Sequence, residues 1–195
     1  MGVIIAFETA LVAQIFGAVI FVVNGIGIAM TRELGPLMTA ILFAGRSGSA
    51  FAAQLGTQKV NEELNALTTF GLSPMYFLVV PRLIASSLVV PLLSVFATIL
   101  GILGGGLVMA MYDITYTQFY VQLLKSVTVT DIVFGLVKAV IFGFVIALIG
   151  CQCGMNTGAG AAAVGSSTTK SVVKSIIWIV VIDGAAALLT NRLGI

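Results

Sequence analysis

The chain has 195 residues, of which 59% are hydrophobic and only 8% are charged, and its mean hydropathy is +1.18. A soluble domain usually carries about 25% charged residues, so this composition excludes a water-coated globule and predicts a surface that faces lipid. The formal net charge of +2 is too small to indicate a nucleic-acid partner, and the absence of histidine removes the commonest general base and a favoured metal ligand.

The N-terminal part of the sequence predicts a short apolar helix followed by a long one. Residues 1–14 are apolar apart from a few polar positions such as Glu8, and a turn is expected near Phe16 and Gly17. A membrane-spanning helix needs roughly 20 mostly apolar residues, so this first helix is too short to span. The next helix, expected over residues 19–54, is longer than a bilayer requires, and Pro36 and the glycine-rich residues 45–49 are places where it could bend.

Three later apolar runs predict further membrane-spanning helices. Residues 83–112 are uncharged, residues 132–151 carry only Lys138, and residues 172–189 carry only Lys174 and Asp183. With the long N-terminal helix, they predict an all-α, polytopic transmembrane bundle of about four full spanning helices and one truncated N-terminal helix.

Residues 57–70 are too polar to span a membrane, and their pattern predicts an amphipathic helix. Val60, Leu64 and Leu67 recur at helical spacing. Thr57 is expected to cap the start of this helix and Gly71 to end it. Such a helix lies either on the membrane surface or against a partner protein.

Two other polar stretches separate the spans. Residues 113–131 begin with clustered aromatic side chains and predict an interfacial turn or short helix. Residues 154–169 are rich in small residues and predict a loop. In that loop, Gly160 and Gly165 have the glycine spacing of a P-loop, but Ser166 stands where the lysine is required. We therefore expect no nucleotide site and no catalytic residues in this chain.

The distribution of lysine and arginine predicts the orientation. The segments with Lys59 and Arg82 and with Lys170 and Lys174 lie on one side, while Lys125 lies on the other. The positive-inside rule assigns the first side to the cytoplasm. The amphipathic helix is then cytoplasmic.

Charges inside the apolar runs are the main candidate site. Arg32, Glu33, Lys138 and Asp183 each cost roughly 2.5–3.5 kcal/mol in hydrocarbon on insertion scales, and their formal charges cancel. We expect Asp183 roughly 16 Å from the cytoplasmic end of its helix, from about 1.5 Å of rise per residue. The four residues predict either a structural ion-pair network or a polar patch in a lipid-receiving cavity, and the two interpretations are compatible.

The spacing of Gly101 and Gly105 forms a G-x-x-x-G pattern, which lets helices approach closely in lipid. We expect these glycines to serve helix packing, with substrate contact as the alternative.

Several segments resemble the signature of MlaE-family ABC transporter permeases, in order along nearly the whole chain. They are RELGPLMTA at 32–40, AGRSGSA at 44–50, LGTQKVNEE at 55–63, LSP at 72–74, VVPR at 79–82 and GSSTTKSVV at 165–173, with Asp183 downstream. The resemblance implies a single permease domain over residues 1–195 that lacks the N-terminal interfacial helix and part of the first transmembrane helix.

The resemblance also implies function and partners. It implies a homodimeric, non-catalytic permease in the bacterial inner membrane that moves phospholipid or a related lipid between that membrane and the periplasm or outer membrane. A cytoplasmic ATPase would bind ATP and magnesium, and a periplasmic MCE-domain protein and a STAS-domain protein are further candidate partners. The coupling helix to the ATPase would comprise Lys59, Val60, Glu62, Glu63, Leu64 and Leu67.

A second class remains open on the residues alone. A secondary transporter or ion relay would use the same intramembrane charges. Such a protein would need neither ATP nor a coupling helix, and this distinguishes it from an ABC permease.

Overall fold

The computed structural model describes residues 1–193, and within that range every regular element is helical. The α-helices are α1 (Gly2–Ile15), α2 (Ile20–Ala29), α3 (Gly35–Phe43), α4 (Ser49–Val60), α5 (Glu63–Thr69), α6 (Val80–Ala110), α7 (Tyr116–Ser126), α8 (Val129–Met155) and α9 (Ala161–Leu193). Three π-helical turns, Met30–Leu34, Ala44–Gly48 and Met75–Val79, join or extend them.

Four of the described helical stretches are long and apolar enough to cross a membrane: Ile20–Val60, Met75–Ala110, Val129–Met155 and Ala161–Thr190. The shorter apolar helix α1 precedes them, and the chain turns at Gly17, whose φ is +65°. The predicted fold class, with four full spans and a short N-terminal helix, is therefore confirmed. The π-helical turns of the first span lie next to Pro36 and within the glycine-rich segment, the two places where irregularity was expected.

The chain forms two compact units. The first comprises Met1–Met38 and Leu92–Val137. Its apolar core joins α1, α2, the end of α6 and α7 through buried apolar side chains, among them Ala6, Val23, Ile26, Met109 and Phe119.

The second unit comprises Thr39–Pro91 and the chain from Lys138 onward. Here α4 packs against α9 and against the second part of α8. A Cβ added at Gly150 would lie 2.7 Å from the Gly48 carbonyl oxygen, and one at Gly154 would lie 2.6 Å from the Leu55 Cβ. Because glycine has no side chain, the backbones of these helices approach one another closely, as is common at helix contacts in lipid. Cys151 is buried in the same unit.

The prediction of one amphipathic helix starting at Thr57 is wrong. Thr57 lies inside α4, which ends at Val60, and the chain then turns through Glu62 at a φ of 61° before α5 begins. The predicted end at Gly71 is confirmed. Gly71 has a φ of +77°, and the amides of Gly71 and Leu72 donate to the carbonyls of Thr68 and Leu67, as in a Schellman motif.

The prediction of a loop over residues 154–169 is also wrong, because α8 continues to Met155 and α9 begins at Ala161. The hydroxyls of this stretch bond back to carbonyls three or four residues earlier, as Ser167 does to Ala163 and Thr168 does to Val164. Such bonds satisfy Ser and Thr inside a helix, so their abundance does not prevent helix formation.

Candidate functional site

Lys138 and Asp183 form an ion pair in the second unit. The Lys138 Nζ lies 2.5 Å from the Asp183 Oδ1, and the lysine side chain is only 2% exposed. Apart from this contact, Asp183 Oδ1 has no hydrogen-bond partner among the described residues. The carboxylate is therefore held by charge attraction across the helix–helix contact of α8 and α9.

Both members of this pair lie far from the helix ends. Lys138 is about 13 Å from the start of α8, and Asp183 is about 33 Å from the start of α9, at roughly 1.5 Å of rise per residue. The expected distance of 16 Å for Asp183 is wrong because α9 begins eleven residues before the apolar run 172–189.

Arg32 pairs with Asp131 in the first unit, at 3.3 Å between Nη1 and Oδ1. Arg32 lies in the π-helical turn Met30–Leu34, and its guanidinium sits 5.0 Å from the centroid of the Phe134 ring. This distance is within the range of a cation–π contact. The arginine is thus held by a carboxylate and by an aromatic face.

Asp131 has a second role at the start of α8. Its Oδ2 accepts hydrogen bonds from the Thr128 backbone amide at 3.0 Å and from the Thr128 hydroxyl at 2.7 Å. Thr128 precedes the first residue of α8, so the two residues form a capping box with aspartate in the usual position of glutamate. Sequence analysis missed Asp131 as a site residue, although the T-x-x-D pattern at 128–131 is a recognisable start signal.

Glu33 lies next to Arg32 in the same π-helical turn and is half-buried. Arg32 and Glu33 belong to the first unit, and Lys138 and Asp183 belong to the second. Among the contacts of the described residues, Arg32–Asp131 and Lys138–Asp183 are ion pairs that each lie within one unit, and the network of all four predicted residues stays a prediction.

An apolar cavity of about 280 Å³ lies in the first unit, beside the Arg32–Asp131 pair. Thr31 and Ile132, the sequence neighbours of the paired residues, both line it. The remaining lining is mostly aliphatic, with the hydroxyls of Ser94 and Thr98 as additional polar groups. A cavity with this lining suits a hydrocarbon chain better than a polar solute.

The predicted coupling residues do not form one exposed surface. Lys59 and Val60 end α4, Glu62 occupies the turn, and Glu63, Leu64 and Leu67 belong to α5. Lys59, Glu62 and Glu63 are exposed, whereas Leu64 is only 7% exposed and packs within its own chain. The large apolar side chain that α5 leaves accessible is Phe70, which is 80% exposed and follows the last residue of that helix.

Gly101 and Gly105 lie in α6 and face the long first span. A Cβ on Gly101 would overlap the end of the Met30 side chain, and one on Gly105 would lie 2.9 Å from Ile26 Cγ2. Both glycines therefore stand where two helices of the first unit meet.

These features define a class of protein: a helical, multi-pass membrane protein with paired charges inside its spans, as expected of a transporter subunit. Within the described residues, no group of three or more Cys, Asp or Glu side chains is placed to hold a metal ion.

Comparisons with known proteins give the family. The chain matches the family described as Permease MlaE over residues 1–189. It is similar to a probable ABC transporter permease of Synechocystis, with 38% identity over 92% of this chain and 68% of that protein. It is also similar to a probable ABC transporter permease of Rickettsia typhi, with 35% identity over 92% of this chain and 70% of the relative. The chain belongs to the MlaE permease family, which confirms the resemblance seen in the sequence.

A plant protein is similar as well. Protein TRIGALACTOSYLDIACYLGLYCEROL 1 of Arabidopsis thaliana, which is chloroplastic, is 38% identical over 81% of this chain, and the match covers 45% of that protein. Relatives of this chain therefore occur outside bacteria.

Proposed function

We propose that this chain is the transmembrane subunit of an ABC transporter that moves phospholipid or a related lipid between the bacterial inner membrane and the periplasm or outer membrane. The observation that carries the proposal is the family match over residues 1–189, together with relatives named as ABC transporter permeases. An ABC permease works with an ATPase, so the partner subunit would bind ATP and magnesium.

Two observations support a lipid as the cargo. The Arabidopsis relative carries the name of a galactolipid. In addition, the first unit contains the apolar cavity beside the Arg32–Asp131 pair, so apolar side chains and a charged pair lie side by side. This combination suits an amphiphile, whose chains enter the apolar cavity while its headgroup stays near charged or polar groups.

The α5 segment supports the proposed contact with the ATPase. It lies outside the four spans, it follows a sharp turn at Glu62, and it ends near the exposed Phe70. In the proposed assembly two copies of the chain pair, the ATPase docks against α5, and an MCE-domain protein binds on the opposite side. A STAS-domain protein is a further candidate partner.

The transport test uses the chain reconstituted with its ATPase into phosphatidylglycerol–phosphatidylcholine vesicles. A fluorescent phospholipid should move to an acceptor protein only when ATP and magnesium are present. An ATPase variant without its P-loop lysine is the matched control, because it assembles without hydrolysing ATP. Lipid movement driven by a proton or sodium gradient in the absence of ATP would instead support the ion-relay alternative and contradict the proposal.

The docking test uses exposed residues, because changing the buried Leu64 would disturb the fold as well as the contact. Phe70→Asp combined with Glu63→Lys should reduce ATPase co-purification by at least tenfold while membrane insertion is unchanged. Lys125→Glu, a charge change on α7, is the control and should leave co-purification intact. Undiminished co-purification of the double variant would show that α5 is not the docking segment.

A further inference from the structure

A polar pocket of about 230 Å³ lies in the second unit, where the end of α8 meets the first turns of α9. It is on the side that the lysine and arginine distribution assigns to the cytoplasm. Its lining contains two ammonium groups and several neutral polar groups: Gln152, Cys153, Asn156, Gly158, Ser166, Ser167, Lys170 and Lys174. Neither the transport proposal nor the family match gives this pocket a role.

The charge of the pocket is not compensated by the protein. Lys170 and Lys174 are four residues apart on α9, so they point to the same side of the helix. Both are exposed, and neither has an ion pair with a residue in the described part of the chain. No acidic residue lines the pocket, and Asp183 is about 13 Å further along α9 at 1.5 Å per residue. An anion that enters the pocket therefore interacts with both ammonium groups without displacing an acidic side chain of the protein.

The wall of the pocket is fixed before any ligand binds. The hydroxyls of Thr157 and Ser167 share a hydrogen bond of 2.7 Å, and both residues are buried. This bond ties the turn after α8 to the second turn of α9. The side-chain amides of Gln152 and Asn156 have no hydrogen bonds to described residues, so they remain able to donate to an anion. Ammonium groups together with neutral N–H donors suit a phosphate.

An apolar stripe continues from the pocket along the same face of α9. Val173, Ile177 and Trp178 lie three or four residues from the lysines or from one another, on the same face, and are 52%, 56% and 53% exposed. They belong to the stretch Ala161–Thr190, which is apolar enough to span a membrane. A ligand that satisfies both features has an anionic head and a hydrocarbon tail.

We propose that this pocket binds the phosphate of an anionic phospholipid from the cytoplasmic leaflet, with an acyl chain lying along Val173, Ile177 and Trp178. Basic pockets at the cytoplasmic ends of transmembrane helices commonly hold anionic headgroups in this way. The site does not depend on the transport proposal, because it binds lipid whether or not that lipid is later moved.

The single tryptophan of the chain, Trp178, provides the probe. The full-length chain is placed in phosphatidylcholine nanodiscs that contain increasing fractions of phosphatidylglycerol with brominated acyl chains, which quench tryptophan fluorescence on contact. Brominated phosphatidylcholine is the matched control for the brominated phosphatidylglycerol. The ratio of the two quenching curves gives the preference for the anionic lipid at this position without any ATPase or transport step.

Wild-type protein should prefer phosphatidylglycerol. Lys170→Gln and Lys174→Gln should each lower the preference about fivefold, since a lysine near the membrane surface contributes about 1 kcal/mol to binding an anionic lipid. The double glutamine variant should bind both lipids nearly alike, and the double arginine variant should retain the preference. Lys125→Gln on α7 is the control and should change nothing.

Four results would overturn the proposal. The first is equal quenching by both lipids in the wild-type protein, and the second is an unchanged preference in the double glutamine variant with a normal circular dichroism spectrum. The third concerns the source of the phosphate. If soluble glycerol phosphate abolishes the preference at the concentration of the labelled lipid, the pocket binds free phosphate esters and the acyl chain contributes nothing. A loss of protein partners in the lysine variants, without any lipid preference, would assign the surface to that partner instead.

Discussion

The two aspartates within the spanning helices are held in very different ways. Asp131, at the start of α8, forms an ion pair with Arg32 and accepts hydrogen bonds from the Thr128 amide and the Thr128 hydroxyl. Asp183, in the interior of α9, pairs with the ammonium of Lys138, and its Oδ1 has no other hydrogen-bond partner among the described residues. A helix start offers unpaired amides and a capping side chain, whereas a helix interior has already used its backbone groups. A carboxylate deep in a helix therefore depends on the opposite charge far more than one at a helix end.

The largest expected effect is the removal of the partner of Asp183. Lys138→Met keeps most of the side-chain volume but leaves the carboxylate unpaired in an apolar contact, so it should cost about 3–5 kcal/mol of stability. Denaturant unfolding in detergent, followed by circular dichroism, measures this. A loss below about 1 kcal/mol, the median for an exposed ion pair, would show that water already solvates Asp183.

The matching change in the first unit should be milder. Arg32→Met removes the charged partner of Asp131, but both hydrogen bonds from Thr128 remain. The expected loss is about 1.5–3 kcal/mol, the contribution of a hydrogen bond to a charged group. The same unfolding experiment applies, with Arg192→Met near the end of α9 as a control that should be close to neutral. A loss equal to that of Lys138→Met would contradict the comparison.

A smaller effect is expected at the cap itself. Thr128→Val removes the hydroxyl that donates to Asp131 and should cost about 1 kcal/mol, as for other N-cap substitutions. The double variant Thr128→Val/Arg32→Met should lose more than the sum of the two single variants, because Asp131 then keeps only one backbone donor. Strict additivity would mean that the two partners do not share the carboxylate.

The smallest effect on stability is expected when both members of the deep pair are replaced. Lys138→Met combined with Asp183→Leu removes both charges and should restore stability to within about 1 kcal/mol of wild type, because well-packed apolar residues often replace a buried pair without loss. Lipid transport by this stable variant then separates the two interpretations of the pair. Normal transport would mean a structural role, and lost transport would mean a role in the transport cycle.

The sequence predicts the spans and the charged positions well for a physical reason. Long apolar runs have few alternatives in a bilayer, so residues 83–112 and 132–151 had to be helical, and charges within them had to find partners. The direct pairing of Lys138 with Asp183 follows from that logic.

What the sequence did not predict depended on local backbone geometry. The helical spacing of Val60, Leu64 and Leu67 continues across the turn at Glu62, and no glycine or proline marks the break. Conversely, composition predicts a loop at the serine- and threonine-rich start of α9, because it does not reveal the hydroxyl-to-carbonyl bonds that stabilise this part of the helix. The sequence pattern places Asp131 at the end of a polar stretch and does not reveal its partner Arg32, which is 99 residues away in sequence.

The separation between Lys138 and Asp183 along the chain has a consequence for biosynthesis. Lys138 enters the translocon before Asp183 does, so α8 must first partition into the membrane with a lysine that lacks this partner, at roughly 2.5–3.5 kcal/mol on insertion scales. The most apolar 18-residue stretch of the α8 span has a mean hydropathy of 2.8, the highest among the four spans, which offsets that cost, whereas the corresponding stretch of the α9 span has a value of 2.1. The aspartate, in turn, arrives with its counter-ion already in the membrane. Because of the order of the two charges along the chain, the helix that must insert without its counter-ion is the more hydrophobic of the two.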